Sequence, residues 1–252
     1  MESGDSQKRG SAYRNEDRGF RQGLRQAKNV HPHPELHRIM KKDSQIKTIL
    51  SQAYILGGSP CSGKSTIAEK LSACYDLQYY KVDDHYEDHV ERCDPERHPT
   101  MCKIANMGWN EIWSRPVSLL VREEFNFYRE LFELILQDLE KYKSENPIIV
   151  EGAALLPELI HKSKLDPKRV LYLVPTKEFQ IHHYSQRAFI QGILKECQDP
   201  QTAFANWMER DHLFGQEVLR QAENLGYGTI IVDGKLSVEA QYEIICQYYG
   251  LS

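Results

Sequence analysis

No apolar run in this 252-residue sequence approaches the roughly 18 residues that cross a bilayer, and the first twenty residues, MESGDSQKRGSAYRNEDRGF, are polar throughout. The expectation is no membrane-spanning helix, no secretory signal core, and a cytoplasmic location by default. Glu2, Asp5, Glu16 and Asp17 argue against an acid-poor transit peptide. None of the six cysteines forms a C-x-x-C pair, so a zinc ribbon or dithiol redox motif is not expected. Cys61, Cys74, Cys93, Cys102, Cys197 and Cys246 read as reduced thiols, mostly packing. The N-K-x-D and D-x-x-G signatures of GTPase switches are missing, as is the L-S-G-G-Q of transport ATPases, and there is no internal repeat.

What is present is unevenly charged. Residues 1–50 hold eleven basic and six acidic side chains, a balance of +5, and the rest holds 21 basic and 30 acidic, a balance of −9. An acidic body argues against duplex nucleic acid, whose affinity depends on phosphate neutralisation. Residues 1–50 read as a basic, charged arm carrying a short helix near Leu36, Ile39, Met40, Ile46, Ile49 and Leu50. The partner of that arm, if any, is not specified by the sequence.

From residue 52 onward, strand and helix patterns alternate over a single domain, 51–252. AYILGG is strand one, LQYYKVDD (77–84) strand two, PIIVEG (147–152) strand three, RVLYLVP (169–175) strand four and GTIIVDG (228–234) strand five. Helical patterns follow strand one and occupy about 115–143, 176–196, 200–224 and 237–248, with Ser114 and Pro116 opening the first of these four. Strands three to five are near-continuous aliphatic runs, which suits a parallel sheet covered on both faces. The expected fold is therefore α/β with three layers.

The stretch GGSPCSGKST follows strand one directly. Its spacing, Gly58–x4–Gly63–Lys64–Ser65, is that of a phosphate-cradling loop. Glycines let backbone N–H groups turn toward phosphates, and the helix that begins at Gly63 offers unpaired donors and partial positive charge. Ser59, Cys61 and Ser62 lie within the loop; Lys64 would reach the outer phosphates; Ser65 would bind Mg²⁺; Thr66 would contact the inner phosphates. Glu151, ending the apolar IIVE run, is a candidate to hold a magnesium-bound water. Asp83 and Asp84, at the end of YYKVDD, are candidates to orient an attacking hydroxyl. Neighbours on a strand face opposite ways, so only one of the two is expected at the site.

Together ILGGSPCSGKST, YYKVDD, IIVEG and the late arginines resemble the small-molecule kinases of the nucleoside monophosphate kinase-like fold, over about residues 52–250. Shikimate and gluconate kinases, chloramphenicol phosphotransferase and 2-phosphoglycerate kinase are relatives by pattern. The resemblance implies the P-loop NTPase architecture, a five-stranded parallel sheet in the order 2-3-1-4-5, ATP with Mg²⁺, and a helical lid, here about 180–215, between strands four and five. It implies that Arg187 or Arg210 closes on the transferring phosphoryl group, and that adenine rests near Asp233 and Gly234. The segment 85–114 is then the acceptor insert. His85, Tyr86, Arg92 and Arg97 are its candidate contacts, and the two arginines suit an anionic acceptor. Trp109 and Trp113, at helical spacing, read as packing. His85 and His89 have metal-ligand spacing without an evident third ligand. The leading reading is an ATP- and Mg²⁺-dependent kinase acting on a hydroxyl of a small molecule. A polynucleotide 5′-hydroxyl kinase and a non-catalytic nucleotide sensor are the alternatives.

Overall fold

The computed structural model describes residues 44–142 and 145–251. Of the arm expected over residues 1–50, residues 1–43, with Leu36, Ile39 and Met40, lie outside the described residues. A helix α1 (Ser44–Gln52) leads into β1 (Ala53–Gly58), and α2 (Lys64–Tyr75) follows the loop. β2 (Gln78–Lys81) is followed by three short helices, α3 (Tyr86–Glu91), α4 (Pro99–Ala105) and α5 (Trp109–Trp113). The long α6 (Val117–Leu139) precedes β3 (Ile148–Glu151), α7 (Pro157–Ile160) and β4 (Val170–Pro175). Helices α8 (Lys177–Ser185), α9 (Ala188–Leu194) and α10 (Pro200–Asn224) then lead to β5 (Gly228–Val232) and α11 (Val238–Tyr249). No helix among the described residues is long and apolar enough to cross a membrane.

The five strands form one parallel sheet in the order β2-β3-β1-β4-β5. Period-two alternation divides its side chains between two cores. Ile55, Val150 and Tyr172 join Phe127, Leu131, Phe214 and Val218 of α6 and α10 on one face. Leu56, Ile149, Leu171 and Leu173 join Ile67, Leu71 and Ile245 of α2 and α11 on the other. Strands covered by helices on both sides need aliphatic residues at every position, which is why β3 and β4 are buried throughout. The edge strand β5 departs from that expectation. Ile230 and Val232 pack inward, yet Ile231 between them is 57 % exposed.

β2 is shorter than the pattern YYKVDD suggested. Its last ladder partner is Glu151, opposite Lys81, so the strand has nothing left to pair with. The chain turns there into a 3₁₀ helix, Val82–His85, with Val82 buried against the backbone of Gly152.

A third core lies where α5 meets α8, α9 and α10. Trp113 and Trp207 stack at 4.4 Å between ring centroids, with Trp109, Tyr184, Phe189 and Ile190 around them. The tryptophans of the insert therefore pack, as their spacing suggested. Helix α10 belongs to two cores at once: Trp207 and Met208 sit in the third core, Phe214 and Val218 under the sheet.

Candidate active site

β1 ends in a glycine because nothing larger fits. Gly58 has φ +119°, and a Cβ there would lie 2.1 Å from the Leu173 carbonyl oxygen of the neighbouring strand. Gly63, at φ +81°, caps α2 in the left-handed region that glycine alone enters without cost. Cys61 also has positive φ, 63°. The first N–H groups of α2 have no intrahelical acceptor and face the loop. The loop closes on itself: Ser62 Oγ donates to the Ser59 carbonyl at 2.9 Å, and Lys64 Nζ donates to that same carbonyl at 2.8 Å and to Ser62 Oγ at 3.3 Å. Ser59 Oγ donates to the carbonyl of Asp211 at 3.3 Å, which ties the loop to α10.

Around the loop is a cleft of about 270 Å³, lined by residues 60–66 and by Lys81, Asp83, Asp84, Glu151, Ala153 and Arg187. The parallel register brings Glu151 level with Leu56 of β1 and Lys81 of β2, at the carboxyl end of the sheet. Ser65 Oγ donates to Glu151 Oε2 at 3.1 Å, and Tyr79 Oη donates to the same oxygen at 3.3 Å. Burial pushes the Lys64 ammonium pKa down, opposed by Glu151 and Asp83. Burial also pushes the Glu151 carboxyl up, opposed by Lys64 and by the bond from Ser65. Asp83 is pushed up to about 7, by burial first and by the Glu151 charge second.

The 3₁₀ turn separates the two aspartates that a strand would have set on opposite faces. Asp83 is half-buried and shares the cleft with Lys64, whereas Asp84 stands exposed on the rim, 3.4 Å from Lys81. The late arginines also separate. Arg187, at the start of α9, lines the cleft with its guanidinium 3.8 Å from Cys61 Sγ and against the Tyr184 and Phe189 rings. Arg210 is fully buried away from the cleft, paired with Asp211 and, at 3.4 Å, with Glu124, and it lies over the Trp113 ring. Asp233 and Gly234 occupy the loop after β5, outside the lining. Asp233 pairs with Lys235, and Gly234 backs onto Phe179 of α8.

The four residues expected to contact an acceptor are not brought to the cleft. Tyr86 is buried and stacked on Phe127. His85 stacks on Tyr80 at 4.5 Å. Arg92 donates to both oxygens of Asp138, at 2.9 and 3.0 Å, and Arg97 is paired with Glu133. Lys103 and Arg115 join Glu123 at 2.7 and 2.6 Å, and the N–H groups of Thr100 and Met101 donate to Glu130. The physical reason is one acid-lined side of α6, on which the cations of the insert are spent. None of these partners was visible from the insert alone, since each lies 8 to 46 residues further along the chain.

Among the described residues the His85/His89 pair gains no third ligand; a different trio, Asp88, His89 and Asp138, is brought together instead. Two cations, Arg92 and Lys141, already sit on the Asp138 carboxylate, which opposes a third. Burial alone would raise the Asp138 carboxyl, but bonds from His89, Lys141 and Tyr80 outweigh it and hold the pKa well below the ordinary carboxylate value of 3.8. A folded-state pKa below the unfolded one stabilises above the unfolded value and loses that stabilisation as pH falls past it. Asp138→Asn is therefore expected to lower urea stability at pH 7 by about 2 kcal/mol. The gap from the parent should begin to shrink below about pH 4, where Asp138 of the unfolded chain takes up a proton, and close only as pH falls on toward the lower folded-state pKa. A gap that stays constant with pH would refute the charged role.

The reading of all six cysteines as thiols needs correction. Cys93, just after α3, and Cys102 of α4, with Cα atoms 6.0 Å apart, form a disulfide; Cys61, Cys74, Cys197 and Cys246 are free. The short helices of the insert face these two residues together across nine positions, a proximity that composition does not reveal. Sequence reasoning also missed Lys81. The signal available was its place at the end of β2, directly before the two aspartates.

No protein-family model matches the chain, and no curated protein matches it. Among solved structures, an uncharacterized protein from Eubacterium ventriosum is 18 % identical, over 79 % of this chain and 98 % of that one, with a TM-score of 0.38. A protein described as a "putative kinase" from Chloroflexus aurantiacus is 14 % identical, over 78 % of this chain and 97 % of that one, with a TM-score of 0.41. At those scores the likeness decides neither fold nor chemistry, which rest on the geometry above.

Proposed function

We propose that the protein is an ATP- and Mg²⁺-dependent phosphotransferase that moves the γ-phosphoryl group to a hydroxyl of a small molecule. The observation that carries this reading is the convergence, in one cleft, of the buried Lys64, the Ser65–Glu151 pair and the half-buried Asp83. The residues fit the nucleotide and its metal. The loop turns through a position where a Cβ would strike backbone, and it presents a buried ammonium. A hydroxyl and a carboxylate supply hard oxygen donors of the kind Mg²⁺ takes. Bound Mg²⁺ would neutralise charge on the phosphates during transfer.

The roles of the chain's own residues follow from their chemistry. The loop N–H groups and Lys64 would hold the phosphates, with Lys64 giving up its bonds to Ser59 and Ser62. Ser65 and Glu151 would hold the metal and its water. Arg187, in the cleft and planar, would spread its charge over phosphoryl oxygens, as an arginine of the expected lid, about 180–215, would. Asp83 would accept the proton of the acceptor hydroxyl. A group that must be deprotonated and titrates near 7 makes a direct prediction: kcat/KM rises with pH along a limb centred near 7, and Asp83→Asn removes that limb. A limb retained in the variant would assign the base elsewhere.

The sensor and polynucleotide readings are less well supported. A carboxylate beside the lysine suits transfer more than sensing, and a cleft with as many acids as cations suits a polyanionic strand poorly. The test is calorimetric titration with MgATP, followed by an ATP-consumption screen of pooled metabolites. Tight MgATP binding with acceptor-dependent consumption is expected. Absence of MgATP binding would overturn the proposal.

A further inference from the structure

The acceptor can be narrowed by charge, taking the phosphotransferase reading as given. An anionic acceptor needs a cation in the cleft that nothing else claims. Six lining residues carry charge: Lys64, Lys81 and Arg187 against Asp83, Asp84 and Glu151. The nucleotide and metal would engage Lys64, Arg187 and Glu151. With Asp83 deprotonated, as its role as base requires, Lys81 then stands against Asp83 and Asp84, with Asp84 3.4 Å from its ammonium, so in the reactive form the acceptor side is left with one negative charge in excess.

The cations of the adjoining insert cannot be borrowed cheaply. Arg92 and Arg97 of the insert, and Arg115 directly after it, are held by Asp138, Glu133 and Glu123, whose side chains are only 4, 7 and 10 % exposed. Turning any of these arginines toward an anion would leave a buried carboxylate short of a partner, a change that costs more than a surface ion pair returns.

We infer that the acceptor carries no carboxylate or phosphate, and that a hydroxyl compound bearing an ammonium group is preferred over its uncharged analogue. An ammonium at roughly 4–6 Å from the excess charge gains a few-fold in affinity at the dielectric of water and roughly a hundredfold or more at an effective dielectric of about 20. Asp84 stands exposed on the rim, so a roughly tenfold gain, between the two, is expected. The chemical class is thus amino alcohols and amino sugars first, and polyols and nucleosides second.

The test uses the full chain with MgATP and four acceptor pools sorted by charge: amino alcohols and amino sugars, neutral polyols and nucleosides, hydroxy acids, and phosphomonoesters. Consumption from the first or second pool is expected. The hit is then paired with the analogue in which a hydroxyl and an ammonium are exchanged. The ammonium member should show about tenfold higher kcat/KM, and the same preference should appear as tighter binding by calorimetry with a non-hydrolysable MgATP analogue in place. Asp84→Lys should collapse or invert that ratio. Turnover confined to the hydroxy acids or phosphomonoesters overturns the inference while leaving the transferase reading intact, as does a ratio that Asp84→Lys does not move. No turnover in any pool counts against the transferase reading itself.

Discussion

Lys64→Ala should lose phosphoryl transfer by at least about 10³-fold, with weakened MgATP binding and an intact fold. The size of the effect follows from where the ammonium sits. Lys64 is 6 % exposed, at the start of α2, so its charge acts at low effective dielectric where water cannot replace it. Its two bonds in the structure go to the loop's own oxygens, Ser59 O and Ser62 Oγ, and these keep the side chain aimed along the loop. Removing it also leaves Glu151 and Asp83 without their nearest buried cation, so their like charges repel more strongly. Circular dichroism and a thermal melt check the fold, calorimetry checks nucleotide binding, and a coupled assay reads the rate. If the variant retained more than a tenth of the parent rate, the loop would not be the phosphoryl donor site.

Asp83→Asn should leave MgATP affinity within a few-fold of the parent and reduce kcat by about 10²- to 10⁴-fold, the usual worth of a positioned general base. Asp84→Asn should cost little in kcat, since Asp84 stands on the rim with Lys81 and is exposed. The contrast matters more than either number. Equal losses in the two variants would mean that the turn after β2 moves on binding and the assignment of Asp83 is wrong. The asparagine keeps the size of the side chain at position 83 and removes a half-buried charge, so a loss of activity with unchanged or raised thermal stability is the signature of a chemical role.

Much of the architecture was legible because it depends on local spacing. The aliphatic runs placed β1, β3 and β4 within a residue or two, and Pro116 marked the start of α6. The errors fall where a partner in space ends an element. β2 stops at Lys81 because β3 supplies no further ladder residue beyond Glu151, and that ending turned Asp83 inward and Asp84 outward. Ile231 reads as core by its aliphatic neighbours but lies on an edge. The arginines show the same limit more sharply. Arg187 and Arg210 are indistinguishable as letters in helical sequence; one lines the cleft and the other is sealed between Glu124 and Asp211.

By itself the sequence determined the loop, its lysine and serine, and the alternation of strands and helices that builds a parallel sheet. Those features are encoded over a few neighbouring residues, by glycine conformation and by hydrophobic period. Only the tertiary structure decided which acids and cations remain in the cleft. Charge neutralisation acts through space, and α6 lays its carboxylates beside an insert that precedes it in the chain. The cations of that insert became struts of the fold, and the cleft kept Lys64, Lys81 and Arg187.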